Sequence, residues 1–156
     1  MEFAELVRDR RSIRGYRKDP VPRELIEEII GIAAGAPSSM NTQPWHFHVV
    51  AGEPLEAIRR ENTELMMAGA PLRREIRLHG KYEGVHRDRQ VEIAYQLFDA
   101  MGIREDKAMR QDWMMRGFRQ FDAPVSIVAT IDRNLEESTV AYLDVGAAVH
   151  ALVLAA

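Results

Sequence analysis

The chain has 156 residues, of which 46% are hydrophobic, and a formal net charge of −3. These values predict a single domain with a hydrophobic core and argue against a general nucleic-acid-binding protein. The absence of cysteine excludes a disulfide framework, a zinc–thiolate site and a cysteine nucleophile. The strongly apolar stretch 145–156 is shorter than the roughly 20 residues that a membrane span needs, and no signal-peptide pattern occurs, so we expect a cytoplasmic protein.

The N-terminal third of the sequence predicts two helices separated by an irregular segment. A short helix is expected over residues 2–9, and residues 10–17 are expected to be extended or irregular. Pro22 suits the first turn of a second helix, whose apolar residues between 25 and 33 follow helical spacing. Gly35, followed by a proline two residues later, is typical of the end of that helix.

A strand and a further helix follow in the sequence. Residues 45–50 alternate in a way that predicts a β-strand, with His46 and His48 on the same side. Two histidines on one face are compatible with a metal site, but no third ligand is close in sequence, so surface or subunit-contact histidines are favoured. Residues 52–67 are expected to form a helix.

The region 68–122 predicts two more helices. Apolar residues at helical spacing begin near Arg89 and end at Gly102, and a second helix is expected to contain Met109, Trp113, Phe118 and Phe121. Residues of this kind usually belong to a core, so a plain helical hairpin is one interpretation.

The last part of the sequence predicts a strand and a long helix. Residues 123–131 form a nearly continuous apolar run, which is typical of a strand buried on both faces. A helix is expected to start at residues 137–139; it is apolar nearly all round and should be buried on several sides. Asp144 and His150 are its polar exceptions, interpreted as capping or inter-subunit partners without a role in the chemistry.

Two polar segments point to a ligand. Residues 10–14, Arg-Arg-Ser-Ile-Arg, place three guanidinium groups and a hydroxyl within one short segment, which outlines an anion or phosphate site. Residues 37–45, Pro-Ser-Ser-Met-Asn-Thr-Gln-Pro-Trp, form a loop dense in hydroxyl and amide groups between two prolines. Such a loop either presents donors to a flat polar ligand or satisfies its own backbone.

Together and in this order, the two segments resemble the nitroreductase family of FMN-dependent oxidoreductases. The resemblance implies an α+β fold, with a central mixed sheet flanked by helices and a helical dimer interface. It implies one domain over residues 1–156, incomplete at the C-terminus, in which a helical insertion at 70–122 covers the active site. A homodimer with FMN at the subunit interface is expected.

The resemblance assigns the cofactor-binding residues one by one. Arg10 and Ser12 would hold the FMN phosphate, with Arg11 contributing, and Arg14 would lie against the pyrimidine ring or the phosphate–ribityl end. Pro37, Ser38, Ser39 and Asn41 would contact the same flavin from the other subunit. Gln43 and Trp45 would brace the loop, and Gln43 would also be within reach of the flavin. No metal and no protein nucleophile is expected.

The resemblance also implies an activity. NADH or NADPH would reduce the flavin, which would then transfer a hydride from N5 to a nitroaromatic or quinone acceptor in a ping-pong cycle. The basic residues Arg73, Arg74, Arg77 and Lys81 make a nitrobenzoate-like acid a candidate acceptor.

Several alternatives remain open at this point. Reductive dehalogenation, enone reduction and flavin fragmentation would use the same scaffold. A non-catalytic flavin-binding dimerisation module, or an anion-binding protein that uses residues 10–14 without flavin, would be a different class of protein.

Overall fold

A computed structural model of the chain describes residues 2–71 and 80–156. Two compact units are distinguished: Met1–Ala57 together with Asp122–Ala156 form the first, and Ile58–Phe121 form the second. The described residues contain six α-helices and two β-strands, in agreement with the expected α+β class. In chain order these elements are α1 (Phe3–Asp9), α2 (Arg23–Ala34), β1 (His46–Ala51), α3 (Gly52–Met67), α4 (Gly84–Ala100), α5 (Lys107–Phe118), β2 (Val125–Thr130) and α6 (Thr139–Ala155).

The helix ends in the first unit follow local sequence signals. A capping box links Glu2 and Glu5 at the start of α1. The N-cap residue of α2 is Pro22, which lies one residue before the helix rather than in its first turn. Ser138 caps α6, because its side chain accepts a hydrogen bond from the backbone N–H of Ala141. The predicted positions of these three helices are confirmed.

The sheet of the described residues differs from the expected one. β1 and β2 pair antiparallel, with a register that runs from His46 opposite Thr130 to Ala51 opposite Val125. They form a two-stranded sheet, so the mixed sheet is not found in the part of the chain that the structure describes. The expectation that the second strand is buried on both faces is wrong for this chain. A two-stranded sheet has no inner strand, and each residue of β2 is half-buried or exposed.

Helix α6 packs against α2 through small residues. Ala33 on α2 and Ala148 on α6 are fully buried, and Ala141 is nearly so. Small side chains let two helix backbones approach closely, which explains this contact. Burial on several sides, as expected from the sequence, is not found in the single chain, because Leu143 is 74% exposed. An apolar stripe on one face of a helix can be covered by one neighbour, whereas a helix that is apolar all round needs more.

The second unit contains most of α3 and the pair α4 and α5. Helix α4 begins at Gly84, five positions before the predicted start at Arg89, and α5 ends at Phe118. Phe121 therefore lies beyond α5, in a 3₁₀ turn over Gln120–Asp122. The helical character of both segments is confirmed. The early start of α4 was missed because its first turns are polar and show no apolar stripe.

The interior of the second unit combines an apolar and a polar contact. Ile103, just after α4, is almost fully buried. The buried Arg59 donates from Nε to the backbone oxygen of Arg119 at 2.9 Å, and Asn62 donates from Nδ2 to the oxygen of Phe118 at 3.1 Å. These donors satisfy carbonyl groups at the C-terminal end of α5, where a cation also complements the helix dipole.

None of the helices in residues 2–71 and 80–156 combines the length and the apolar character that crossing a bilayer requires.

Candidate functional site

The loop of residues 37–45 has an unusual backbone. Ser39–Asn41 form a 3₁₀ turn in which Met40 and Asn41 have φ angles of 52° and 58°, and Gln43 has a φ of 43°. Left-handed backbone costs about 1–2 kcal/mol for a residue with a side chain, although asparagine tolerates it better. Strain of this kind is concentrated at ligand and active sites. The loop is therefore a shaped element and not a passive connector.

Hydrogen bonds inside the loop hold this shape. The backbone N–H of Gln43 donates to Ser38 Oγ at 2.9 Å, and the Gln43 side chain donates from Nε2 to Asn41 Oδ1 at 3.0 Å. Gln43 thus braces the loop, which agrees with the bracing role that the resemblance implies, and its contact with the flavin stays a prediction. The Ser38 hydroxyl still has its hydrogen to donate, and the Asn41 amide still has its Nδ2 donors. Both groups are chemically suited to the acceptor atoms of a polar ring.

The end of the loop is fixed by burial. Pro44 is buried and Trp45 is 8% exposed, whereas Met40 at the tip is 95% exposed. Because Trp45 has a large apolar surface, its burial connects the end of the loop firmly to the first unit. The burial of Trp45 is therefore consistent with the bracing role predicted for it.

A carboxylate on α6 contacts the loop. The backbone N–H of Ser39 donates to Asp144 Oδ2 at 3.0 Å, and only 8% of Asp144 is exposed. Sequence reasoning considered Asp144 a capping or inter-subunit partner and missed this contact with the loop. The available signal was its isolation in an apolar helix, since a carboxylate there requires a donor.

An open cavity of about 610 Å³ lies between the loop and α6. Pro37, Ser38 and Ser39 line one side, and residues of α6 between Val140 and Ala147 line the other. The lining is mostly apolar, and its polar residues include Ser38, Ser39 and Asp144. Three of the predicted cofactor-binding residues are thus brought together with the last helix.

The basic segment 10–14 is solvent-exposed in the single chain and has no regular secondary structure. Arg11 donates from Nη1 to the carbonyl oxygen of Arg8 at 2.6 Å, and Arg14 donates from Nη1 to that of Ser12 at 3.1 Å. Arg10 and Ser12 are likewise exposed, so their assignment to a phosphate site stays a prediction.

The predicted substrate residues fall on two parts of the chain. Arg73, Arg74 and Arg77 lie outside the described residues. Lys81 is described and exposed, just before α4. A role for these residues in binding an acidic acceptor stays a prediction.

The two histidines of β1 each contact a residue of β2 or of the segment just after it. His46 Nε2 lies 3.3 Å from Asp132 Oδ1, and His48 Nε2 lies 2.9 Å from Thr130 Oγ1. No cluster of three or more metal-ligating side chains occurs among the residues that the structure describes. Surface interactions across the sheet account for both side chains.

The fold and the loop together define an α+β protein with a preformed polar loop beside its last helix. The sequence model of the nitroreductase family matches residues 7–156, so the chain belongs to the nitroreductase family.

Relatives with established names are similar over most of this chain. A chloronitrobenzene nitroreductase of Comamonas testosteroni is 40% identical over 140 residues, which cover 85% of this chain and 60% of the relative. A 4-nitrobenzoate reductase of Pseudomonas putida is 35% identical over 161 residues, covering 99% of this chain and 67% of the relative. The chain thus spans about three fifths of the length of the first of these relatives.

A solved structure supports the same assignment. The FMN-dependent nitroreductase NfnB from Mycobacterium smegmatis, in complex with NADPH, superposes with a TM-score of 0.88 at 27% sequence identity. The superposition covers 97% of this chain and 68% of that protein. The expected nitroreductase fold is therefore confirmed.

Proposed function

We propose that the protein is an FMN-dependent oxidoreductase that uses NADH or NADPH to reduce nitroaromatic or quinone acceptors. The observation that supports this proposal most directly is the strained, internally braced loop 38–43 on a chain of the nitroreductase family. The loop offers short polar side chains at a fixed geometry, which suits the recognition of a flat heterocycle.

The chemistry of the loop and of the basic segment fits FMN. The isoalloxazine ring presents carbonyl and ring-nitrogen acceptors, to which the Ser38 hydroxyl and the Asn41 amide can donate. The phosphate requires cationic and neutral donors, which Arg10 and Ser12 would provide, and Arg14 would lie against the pyrimidine ring or the phosphate–ribityl end. Pro37 and Ser39 complete the assigned contacts, and Arg11 contributes next to the phosphate. Bound FMN would supply hydride transfer at N5, which explains why no protein nucleophile is needed.

The apolar surface of α6 supports a homodimer with FMN at the subunit interface. Val140, Leu143 and Val153 are all exposed in the single chain, along a helix that also presents Gly146. A row of exposed apolar side chains on one helix is typical of a protein–protein interface. In such a dimer, residues 10–14 of one subunit and residues 37–45 of the other would contact the same flavin.

The acceptor is proposed from the chemistry of the relatives and of this chain. The Comamonas relative is named for chloronitrobenzene and the Pseudomonas relative for 4-nitrobenzoate. Reduction of a nitro group is therefore favoured over reduction of an enone or of a carbon–halogen bond. A carboxylate on that acceptor would need a cation, for which Lys81, Arg73 and Arg74 are the candidates. Coverage of the active site by residues 70–122 and a cytoplasmic location stay predictions.

The first experiment is the visible absorbance spectrum of the purified protein, followed by FMN release on denaturation and by NAD(P)H oxidation with nitroaromatics. A flavin spectrum and turnover with both chloronitrobenzene and 4-nitrobenzoate would support the proposal. Preference for the acid would support the basic residues as a carboxylate site. A flavin-loaded protein without turnover would point instead to a non-catalytic flavin-binding module, and a protein that takes up no FMN would contradict the proposal.

A further inference from the structure

Asp144 is a nearly buried carboxylate in an otherwise apolar part of α6. Its neighbours along the helix, from Tyr142 to Ala148, carry no charge. An ionised carboxylate in such surroundings is costly unless it accepts hydrogen bonds, and the N–H of Ser39 at 3.0 Å supplies one. An apolar side chain of similar shape would avoid this cost, so the carboxylate has a role other than filling space.

The partner of Asp144 is the first residue of the strained turn. Ser39 directly precedes Met40 and Asn41, whose backbones are left-handed. Such a conformation persists only when the surrounding structure imposes it. The hydrogen bonds made by Gln43 close the loop on itself, whereas the bond to Asp144 connects the loop to α6. The orientation of the loop relative to the helix therefore depends on this carboxylate.

We propose that Asp144 is a positioning residue that holds the flavin-binding loop against α6 through the backbone N–H of Ser39. This inference rests on the proposed function, because the loop is taken to bind FMN. Since the N–H of Ser39 is directed towards Asp144, the contribution of Ser39 to the cofactor comes from its hydroxyl or its carbonyl oxygen. Asp144 acts on FMN binding only through the loop and touches neither cofactor nor acceptor.

Two substitutions of Asp144 separate the acceptor from the charge. Asp144→Asn keeps an oxygen that can accept from Ser39, whereas Asp144→Leu keeps the branched shape of the side chain and removes the acceptor. We expect Asp144→Leu to weaken FMN binding by about tenfold or more, the size of one hydrogen bond to a charged group, and Asp144→Asn by no more than about threefold. Glu137→Gln, which removes an exposed charge just before α6, is the matched control and should leave FMN affinity unchanged.

A second pair of variants tests the same bond from the side of the donor. Ser38 has φ −141° and ψ 153°, the extended backbone that a following proline requires, and Ser39 opens the 3₁₀ turn. Ser39→Pro suits the backbone of Ser38 and replaces the N–H by a ring carbon directed at Asp144, so it breaks this contact, whereas Ser39→Ala removes only the hydroxyl. We expect Ser39→Pro to bind FMN about tenfold more weakly than Ser39→Ala. Adding Asp144→Leu to Ser39→Pro should weaken binding no further, because the two residues act through one bond.

A measurement without cofactor makes the outcome independent of activity. Exchange of the Ser39 amide hydrogen, followed by NMR in FMN-free protein, should be slow in the wild type and in Asp144→Asn. We expect it to be about tenfold or more faster in Asp144→Leu, because the acceptor is gone.

The outcomes distinguish this inference from the proposed function. If the wild type binds no FMN, the proposed function fails, and the cofactor role of Asp144 fails with it. If the wild type binds FMN and Asp144→Leu binds it equally tightly, the positioning role is wrong while the proposed function stands. Should Asp144→Leu fail to fold, the comparison of Ser39→Pro with Ser39→Ala decides, and equal FMN affinities of that pair would overturn the inference.

Discussion

Replacing Gly146 by leucine tests whether α6 lies in a subunit interface. Gly146 is exposed, and a Cβ atom built on it meets no atom within 4 Å outside its own stretch of helix, so there is room to add a side chain within one subunit. Leucine also favours a helix over glycine by about 0.5–1 kcal/mol. The isolated subunit should therefore fold at least as well as the wild type, which retained far-UV circular dichroism would show.

The effect on association has the opposite sign. At a close contact between helices, an added side chain costs about 1–3 kcal/mol through overpacking. A two-fold symmetric dimer contains the substitution twice, so we expect a loss of about 2–6 kcal/mol. This corresponds to a dimer dissociation constant that rises by about 30-fold to 10⁴-fold. Because the proposed flavin site is shared between subunits, FMN should be lost together with the dimer.

Sedimentation velocity over a dilution series measures the dissociation constant, and flavin absorbance measures the bound cofactor. Gly31→Leu is the matched control. Gly31 is an exposed glycine within α2 whose Cβ would also meet no atom within 4 Å, so it reports the gain in helix propensity alone. A Gly146→Leu protein that remains a flavin-loaded dimer with an unchanged dissociation constant would refute the placement of α6 in the interface.

Two further predictions concern the phosphate site and the core. Replacing Arg10 and Ser12 together by alanine should weaken FMN binding by about 2–4 kcal/mol, because charged and neutral hydrogen bonds to the phosphate are lost. Fluorescence titration measures the FMN affinity, and Arg8→Ala is the control. Unchanged affinity of the double variant would remove the phosphate assignment. Leu55→Ala should lower the free energy of unfolding by about 2–5 kcal/mol, because Leu55 is only 1% exposed. Ile58→Ala on the same helix should lower it clearly less, because Ile58 is 37% exposed. Equal urea midpoints for the two variants would contradict this description of the core.

The sequence by itself determined most of the helices and the location of the polar loop. Helical spacing of apolar residues and the capping signals around Pro22 and Ser138 are local features, so they can be recognised without the fold. The loop was identifiable because its prolines, hydroxyls and amides are contiguous. The same patterns missed the first turns of α4, because a polar, exposed helical turn leaves no periodic signal.

Only the tertiary structure decided how the loop is shaped and what holds it. The left-handed backbone of Met40 and Gln43 cannot be inferred from residue types that usually avoid it. Asp144 contacts Ser39 across 105 positions of sequence, a pairing that depends on how α6 meets the loop. The exposure of β2 likewise depends on the number of neighbouring strands, because an apolar run records what a strand prefers and not what covers it.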